Sequence, residues 1–472
     1  MNDLSPPGAE LRTADPQAPD ATHRTADLQA LDAAHHLHPF SDQAGLRKEG
    51  VRVIVRGEGP YVWDSDNNRI LDGMAGLWCV NVGYGRDELV EAAARQMREL
   101  PYYNAFFKTT SVATTRLAER IAALTPGPLN RMFFGSSGSD ANDTAIRLVR
   151  QYWALKGLPD KQIIVSRRDA YHGSTIGAVS MGGMGAMHGQ GGTRLPGFRH
   201  VMAPYSFGEA ERGESDEAFG LRAAKAVEDA IVEAGPQNVA AFVGEPIQGA
   251  GGVRIPPASY WPEIERICRR HDVLVMADEV ITGFGRTGEW FGAQSLGFQP
   301  DTMVVAKAIT SGYVPLSATI VSDEIATVLD GGGEFFHGYT YSGHPVASAV
   351  ALANIDILER EGLIERVRDE TGPYLLRALA EAVGDHEHVG EVRAHGLLAA
   401  LEIVRDRATN ERFPGEGAAG TALRDVLVAN GLMMRAVGDT MILSPPLTWT
   451  KREVDEAVAL VARGLGEVEF GG

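Results

Sequence analysis

Cysteine is nearly missing from this chain: among 472 residues there are only Cys79 and Cys268, far apart and in no metal-ligand spacing. That excludes a disulfide framework and a cysteine-based zinc site, and both residues read as buried free thiols. Long apolar runs are also lacking. None approaches the roughly 20 residues that a bilayer-spanning helix needs, so a soluble protein with no membrane partner is expected. Positive charge is in deficit, with 44 lysines and arginines against 62 acids and a net charge of −18. Such a balance disfavours nucleic acid and anionic membrane and leaves a small molecule as the expected partner. The first residues carry acids and prolines instead of a basic start and an apolar core, so no secretory signal is indicated and a cytoplasmic location is the default. What is present is ordinary globular composition, 44% hydrophobic and 22% charged, in a chain long enough for two or three domains.

The N-terminus holds a tandem repeat, Arg12 to His23 followed by Arg24 to His35, with prolines in the first copy where the second has leucines. Proline costs a helix interior about 3 kcal/mol, so the first copy is expected to be a disordered tail and the second to start a helix. His35, His36 and His38 invite a metal reading; adjacent histidines cannot share a helical face and no acidic partner is spaced with them, so no metal is expected. Arg52 to Leu71 alternates apolar and polar residues around tight turns and predicts a small antiparallel meander. Leu89, Ala93, Met97 and Leu100 recur at helical spacing as the buried stripe of an amphipathic helix. Gly182 to Gly192, with six glycines and little periodicity, reads as a loop lining the site entrance.

From Arg131 to Ile320, strands and helices alternate. This predicts a mostly parallel sheet with helices on both faces. Three of its strands end on chemistry. Ala240 to Val243 leads to Glu245, Val273 to Ala277 leads to Asp278, and Met303 to Ala306 leads to Lys307. Ligands of open α/β sheets bind beyond the carboxyl ends of the strands, so Asp278 and Lys307 are expected to face one cavity. Pyridoxal phosphate (PLP) needs a lysine amine to condense with its aldehyde and a carboxylate to keep its pyridine nitrogen protonated. Lys307 and Asp278 supply both. A further strand, Arg131 to Phe134, enters Gly135-Ser136-Ser137-Gly138-Ser139 and then a helix marked by Ile146, Val149 and Trp153; such a turn offers backbone N–H groups and the positive dipole end to a phosphate.

Asp278-Glu279-Val280-Ile281-Thr282-Gly283-Phe284-Gly285-Arg286-Thr287-Gly288 together with Ala306-Lys307 resembles the signature of the class III, or ω-, aminotransferases, and the resemblance runs from about His35 to Phe470. It implies a PLP-dependent fold type I: a large α/β domain over residues 76–345, a small α+β domain from 35–75 and 346–472, and an N-terminal tail over 1–34. It also implies that Ser137, Gly138 and Ser139 hold the cofactor phosphate, that Tyr171 stacks on its ring, and that Glu245 lies on its hydroxyl side, with His172, Asp278, Val280 and Lys307 as further cofactor contacts. Thr340, in the polar aromatic loop Phe336 to Pro345, would reach the phosphate of a neighbouring subunit, which implies a homodimer with shared sites, or a tetramer built from it. Trp78, Tyr171 and Arg435 match the substrate pocket of the ω-amine:pyruvate enzymes, including those acting on putrescine. Two positions depart from the pattern: Asp140 stands where the family usually has Glu, and Ala308-Ile309-Thr310 follows the lysine where relatives often carry glycine first.

The activity so implied moves an amino group from a primary amine to pyruvate, with Lys307 as proton carrier and Asp278 stabilising the protonated ring. Two alternatives keep the same residues: a class III decarboxylase, racemase or mutase, and a catalytically silent PLP-binding regulatory protein. The C-terminal region adds Arg435 within Leu432 to Asp439, where the alternative to carboxylate binding is an ordinary ion pair with Asp439. A final helix is expected, with Thr450 and Glu453 as its capping box and Val454, Val458, Val461 and Leu465 as its buried stripe.

Overall fold

The computed structural model describes residues 24–191 and 194–470. The first repeat copy, Arg12 to His23, lies outside the described residues. The chain divides into two compact units, one reaching to Gly57 and adding Tyr61–Ile70, the other comprising Glu58–Pro60 and everything from Leu71 onward.

In the first unit, the leucine-bearing repeat copy forms helix α1, Thr25–His35, as its composition requires. Helix α2, Gln43–Glu49, follows after Asp42, whose side chain accepts from the Ala44 N–H and caps it. The expected meander is present as three short strands, of which Tyr61–Asp64 lies wholly in this unit while Ile54–Glu58 and Arg69–Asp72 begin in it and end in the second. The Asp64 carboxylate braces its turn by accepting from the Asp66 and Asn68 N–H groups and from Arg52. An acidic partner for the histidines does exist: Asp32 lies one helical turn before His36, and its carboxylate meets both His36 and His38.

The second unit is built on a seven-stranded sheet. In chain order its strands are β1 Leu129–Gly135, β2 Ile163–Arg167, β3 Phe198–Val201, β4 Val239–Gly244, β5 Leu274–Asp278, β6 Thr302–Val305 and β7 Ser317–Ser322. Their spatial order is β1-β7-β6-β5-β4-β2-β3. Only β7 runs against its neighbours. Every residue of β4, β5, β6 and β7 is buried, which is why β4, β5 and β6 are built on apolar runs without alternation, while β7 buries Ser317, Thr319 and Ser322 among its apolar residues. Helix α3, Gly138–Leu155, lays Ala145, Ile146, Val149 and Trp153 against the sheet.

Because β1 and β6 both oppose β7, they run the same way, so Gly135, Gly244, Asp278 and Val305 all finish at one edge of the sheet. Register brings the two central ones together: β5 and β6 are adjacent, with Asp278 opposite Val304. Further along the chain, β8 Val389–His395, β9 Leu398–Ile403, β10 Arg435–Val437 and β11 Thr440–Leu443 form an antiparallel sheet in the order β8-β9-β11-β10. The C-terminal helix Lys451–Glu467 carries the expected capping box, Thr450 with Glu453, and buries Val454, Val458, Val461 and Leu465.

Three sequence expectations shift in this unit. Helix Asp87–Glu99 forms, but it buries Leu89 and Ala92 while Met97 is 53% exposed and Leu100 stands beyond its end. Gly182 to Gly192 contains a short helical turn, Gly185–Gly189, because its Met and His residues find local partners; the His188 ring meets the Val179 carbonyl at 2.9 Å. Cys268 is buried as expected, whereas Cys79 is half-buried at the end of a kinked helical turn. Among the described residues no helix is long and apolar enough to cross a membrane.

Candidate active site

Lys307 lies two residues beyond β6, after Ala306, and opens a short 3₁₀ turn, Lys307–Thr310. Its φ is 48°, a left-handed conformation that a lysine adopts only when its surroundings hold it. The surroundings do: Asn354 donates to the Ala308 and Ile309 carbonyls at 2.9 and 3.1 Å, and Ser311 Oγ donates to Asn354 at 2.7 Å. The loop that departs from the glycine pattern is therefore buried and pinned. Burial pushes the Lys307 ammonium below the ordinary lysine range, opposed by the negative charges of Asp278 and Glu245.

Asp278, at the end of the neighbouring strand, is held on both oxygens. Its Oδ2 lies 2.7 Å from His172 Nδ1 and accepts from Asn142 Nδ2 at 2.9 Å; its Oδ1 accepts the Val280 N–H at 3.1 Å. Asn142 also donates to the His172 carbonyl, so the carboxylate, the amide and the imidazole brace one another. Glu245 sits beyond β4 and is buried, accepting from the Gly249 and Tyr171 N–H groups at 3.2 and 3.4 Å. Its pKa is pushed up to about 7, chiefly by burial, with the charge of Asp278 adding to it and His172 opposing it.

At the start of α3, Ser137 is the N-cap and forms a capping box with Asp140. The Asp140 carboxylate takes the Ser136 and Ser137 N–H groups. It also accepts from Ser317 Oγ. The shorter acid thus fills the capping role while Gly138 and Ser139 stay at the mouth of the helix. A Cβ on Gly138 would meet the Val280 methyls at 3.1 Å, and one on Gly173, whose φ is +134°, would strike Ser139. Glycine at both positions keeps this turn against the Asp278 strand.

The remaining pocket residues converge on one indole. Trp78 is buried in a left-handed conformation, φ 59°, within an apolar cluster that includes Ile247, Ile281 and Ile442 and takes in Tyr171 and Val437 at its margin. Lys307 Nζ lies 5.6 Å and the Arg435 guanidinium 5.2 Å from the centroid of this ring. Among the described residues no carboxylate ion-pairs with Arg435. Asp439 instead accepts the Gly420 N–H.

These residues fit PLP. A buried lysine of lowered pKa, a braced carboxylate on the adjoining strand and an 18-residue helix presenting its N-terminus form the donor set that the group requires. The sequence profile of the aminotransferase class-III family matches residues 45–465. The chain belongs to the class III aminotransferases. Members of this family use PLP, which makes PLP the cofactor of this one. It is 54% identical over 432 residues to a putrescine–pyruvate aminotransferase from Pseudomonas aeruginosa, covering 92% of this chain and 94% of that one. An (S)-enantioselective ω-transaminase from Thermomicrobium roseum superposes with a TM-score of 0.92 at 48% identity, over 94% of this chain and 99% of that one. The ω-transaminase of Pseudomonas jessenii in complex with PMP gives 0.92 at 39% identity, over 94% and 100%.

Of the positions singled out in this class III chain, the structure gathers Lys307, Asp278, Glu245, Tyr171, His172, Val280, Ser137, Gly138, Ser139, Trp78 and Arg435 around one end of the sheet. Thr340 is not among them. It is exposed in the loop before Pro345, where its carbonyl accepts from Tyr102 OH at 2.7 Å. Asn142 escaped the sequence reading. Its signal was a polar residue among Ala141, Ala145 and Ile146 on the buried face of α3, which calls for a partner.

Proposed function

We propose that this aminotransferase moves an amino group from an ω-amine or related primary amine to pyruvate, releasing an aldehyde or ketone and alanine in a ping-pong cycle. The observation that carries the reading is Arg435: a guanidinium lying over the same indole as Lys307 with no carboxylate of its own. Such a group can pair with a keto-acid carboxylate and still leave an apolar surface, Trp78 and Tyr171, for an uncharged amine tail. Likeness to the P. aeruginosa enzyme, named for putrescine and pyruvate, supports the same choice.

When bound, PLP supplies the sink for the electron pair left as the amine-bearing carbon loses its proton. Ser137, Gly138 and Ser139 would hold its phosphate at the start of α3, and the Asp278 carboxylate, braced by His172, Asn142 and the Val280 N–H, would keep its ring nitrogen protonated. Lys307 Nζ would carry the proton, taking one from the substrate carbon and returning it on the other side; burial lowers its pKa and so weakens its hold on a proton of its own. Tyr171 would cover the ring, and Glu245 would face its hydroxyl edge.

The enzyme works as a homodimer with Thr340 reaching the partner subunit's site. Tyr103, Phe107 and Phe336, 54%, 90% and 78% exposed on the loops flanking Thr340 and Tyr102, support this, as does Val112, 72% exposed at the start of the helix Val112–Ala122.

The test is a panel of diamines, aryl-alkyl monoamines and ω-amino acids with pyruvate or 2-oxoglutarate as acceptor. Alanine is expected to form in proportion to amine consumed. Preference for 2-oxoglutarate, or carbon dioxide release without alanine, would refute the assignment.

A further inference from the structure

The first unit holds a second constellation that transamination does not use. Helix α1 ends at His35, and the chain continues extended through His36, with φ −116° and ψ 132°. Two periodicities meet at this junction. Asp32 and His36 are one helical turn apart and lie on the same face, while His36 and His38 are two apart along an extended segment and also point the same way. The outcome is convergence: His36 Nδ1 lies 2.9 Å from one Asp32 carboxylate oxygen and His38 Nε2 2.7 Å from the other. The two imidazole centroids are 4.1 Å apart, and the three ligand atoms all fall within 4.8 Å of one another.

We propose that Asp32, His36 and His38 bind one divalent transition-metal cation of the zinc class. Zinc bonds imidazole nitrogen and carboxylate oxygen at about 2.0–2.2 Å, which sets tetrahedral donor separations near 3.4 Å. The observed spacing reaches this by small side-chain rotations. Ligand type selects the ion: two imidazoles with one carboxylate suit Zn²⁺, Ni²⁺ or Co²⁺, whereas Mg²⁺ and Ca²⁺ require a shell of oxygens.

Coordination leaves the proton count unchanged for neutral imidazoles. The ring proton that each histidine directs at Asp32 moves to its other nitrogen, and the freed nitrogen binds the metal. His38 is already positioned for this, because Gln43 Nε2 donates to its carbonyl at 2.7 Å and Gln43 Oε1 accepts its N–H at 3.3 Å. That grip fixes the backbone which aims the ring. Water can complete the shell. A cavity of about 240 Å³ on one side and one of about 460 Å³ on another are both lined by Asp32, His36 and His38. The bound ion would tie the end of α1 to the segment leading into α2.

The test uses the full-length, tag-free holoenzyme titrated calorimetrically with ZnCl₂. One Zn²⁺ per chain is expected to bind with micromolar affinity. Asp32→Asn, His36→Gln and His38→Gln should each weaken it at least tenfold, and the double histidine variant should lose the stoichiometric site. Millimolar MgCl₂ should not compete, and amine–pyruvate turnover should stay at the wild-type rate as a check that the variants fold. On the unaltered chain, hydrogen exchange of residues 32–43 should slow with one equivalent of Zn²⁺, and added Co²⁺ should give the intense visible bands of a tetrahedral site that Zn²⁺ abolishes. Unchanged stoichiometry and affinity in the double variant would overturn the proposal. So would equal loss in His386→Gln/His388→Gln, a histidine pair with the same spacing elsewhere, or Zn²⁺ binding that leaves exchange at 32–43 untouched.

Discussion

Single side chains divide the proposed chemistry among them, and each division can be measured. Asp278→Asn keeps the shape but removes the charge and puts an NH2 donor where one oxygen now accepts, so cofactor should still bind while single-turnover deamination falls by orders of magnitude. Arg435→Ala should act on one half-reaction only. Hydrogen bonds to charged groups are worth about 1.5–3 kcal/mol, so pyruvate use should drop roughly ten- to a hundredfold while conversion by an aryl monoamine in stopped flow stays within a few-fold of wild type. Equal damage to both would indicate a structural role. Glu245 predicts a pH effect. Its folded pKa of about 7 stands above the ordinary 4.5, so the folded state holds the proton more tightly. The stability this contributes is complete below about pH 4.5 and is lost as pH rises through about 7, by an amount on the order of 3 kcal/mol. Glu279, raised likewise to about 7, acts in parallel, so Glu245→Gln should flatten the fall in melting temperature of the cofactor-free chain between pH 5 and 8 by about half. Residues at strand ends were legible because position along an apolar run announces them. Asn142 was not, since an asparagine inside a helix gives no hint of which strand it will face, and the Asp32–His36–His38 group was missed because it joins a helical spacing to an extended one.

Elements carried the clearest sequence signals where burial is complete. The expected runs inside β4, β5 and β6 are apolar because both faces are covered; β5 and β6 fall within one residue of them at each end, and β4 extends one residue further at both ends. Order across the sheet was not readable: nothing local says that β7 should turn antiparallel and lie between β1 and β6. The stripe at Asp87–Glu99 misled through Met97, whose side is exposed in the single chain, since spacing reports a face and not what covers it. Caps were readable and are testable. Thr450 accepts the Arg452 N–H at 3.3 Å, and Glu453 accepts the Thr450 N–H at 2.8 Å. Thr450→Ala should cost about 1 kcal/mol in urea denaturation with unchanged turnover, because this helix lies outside the site.

At the scale of the whole molecule, the aromatic loops carrying Tyr103, Phe107 and Phe336 expose more apolar surface than an isolated subunit explains. Sedimentation equilibrium should give twice the chain mass, and Phe107→Asp should shift the chain toward monomers whose specific activity falls on dilution. A monomeric wild type of full activity would remove the shared site. Composition alone had pointed to a small-molecule partner, but it held no information on assembly, because exposed aromatics in a folded chain are indistinguishable in sequence from buried ones.

The pocket also has an order in time. Every residue proposed to hold the cofactor within one subunit lies between Ser137 and Lys307, whereas Arg435 comes from a hairpin of the C-terminal sheet. A ribosome adding about 5 to 20 residues per second needs on the order of 10 s to pass from the lysine to the arginine. During synthesis, then, every side chain proposed to take PLP within one subunit has been made while the arginine proposed to pair with the keto acid has not, so the nascent chain carries its cofactor ligands before its carboxylate ligand.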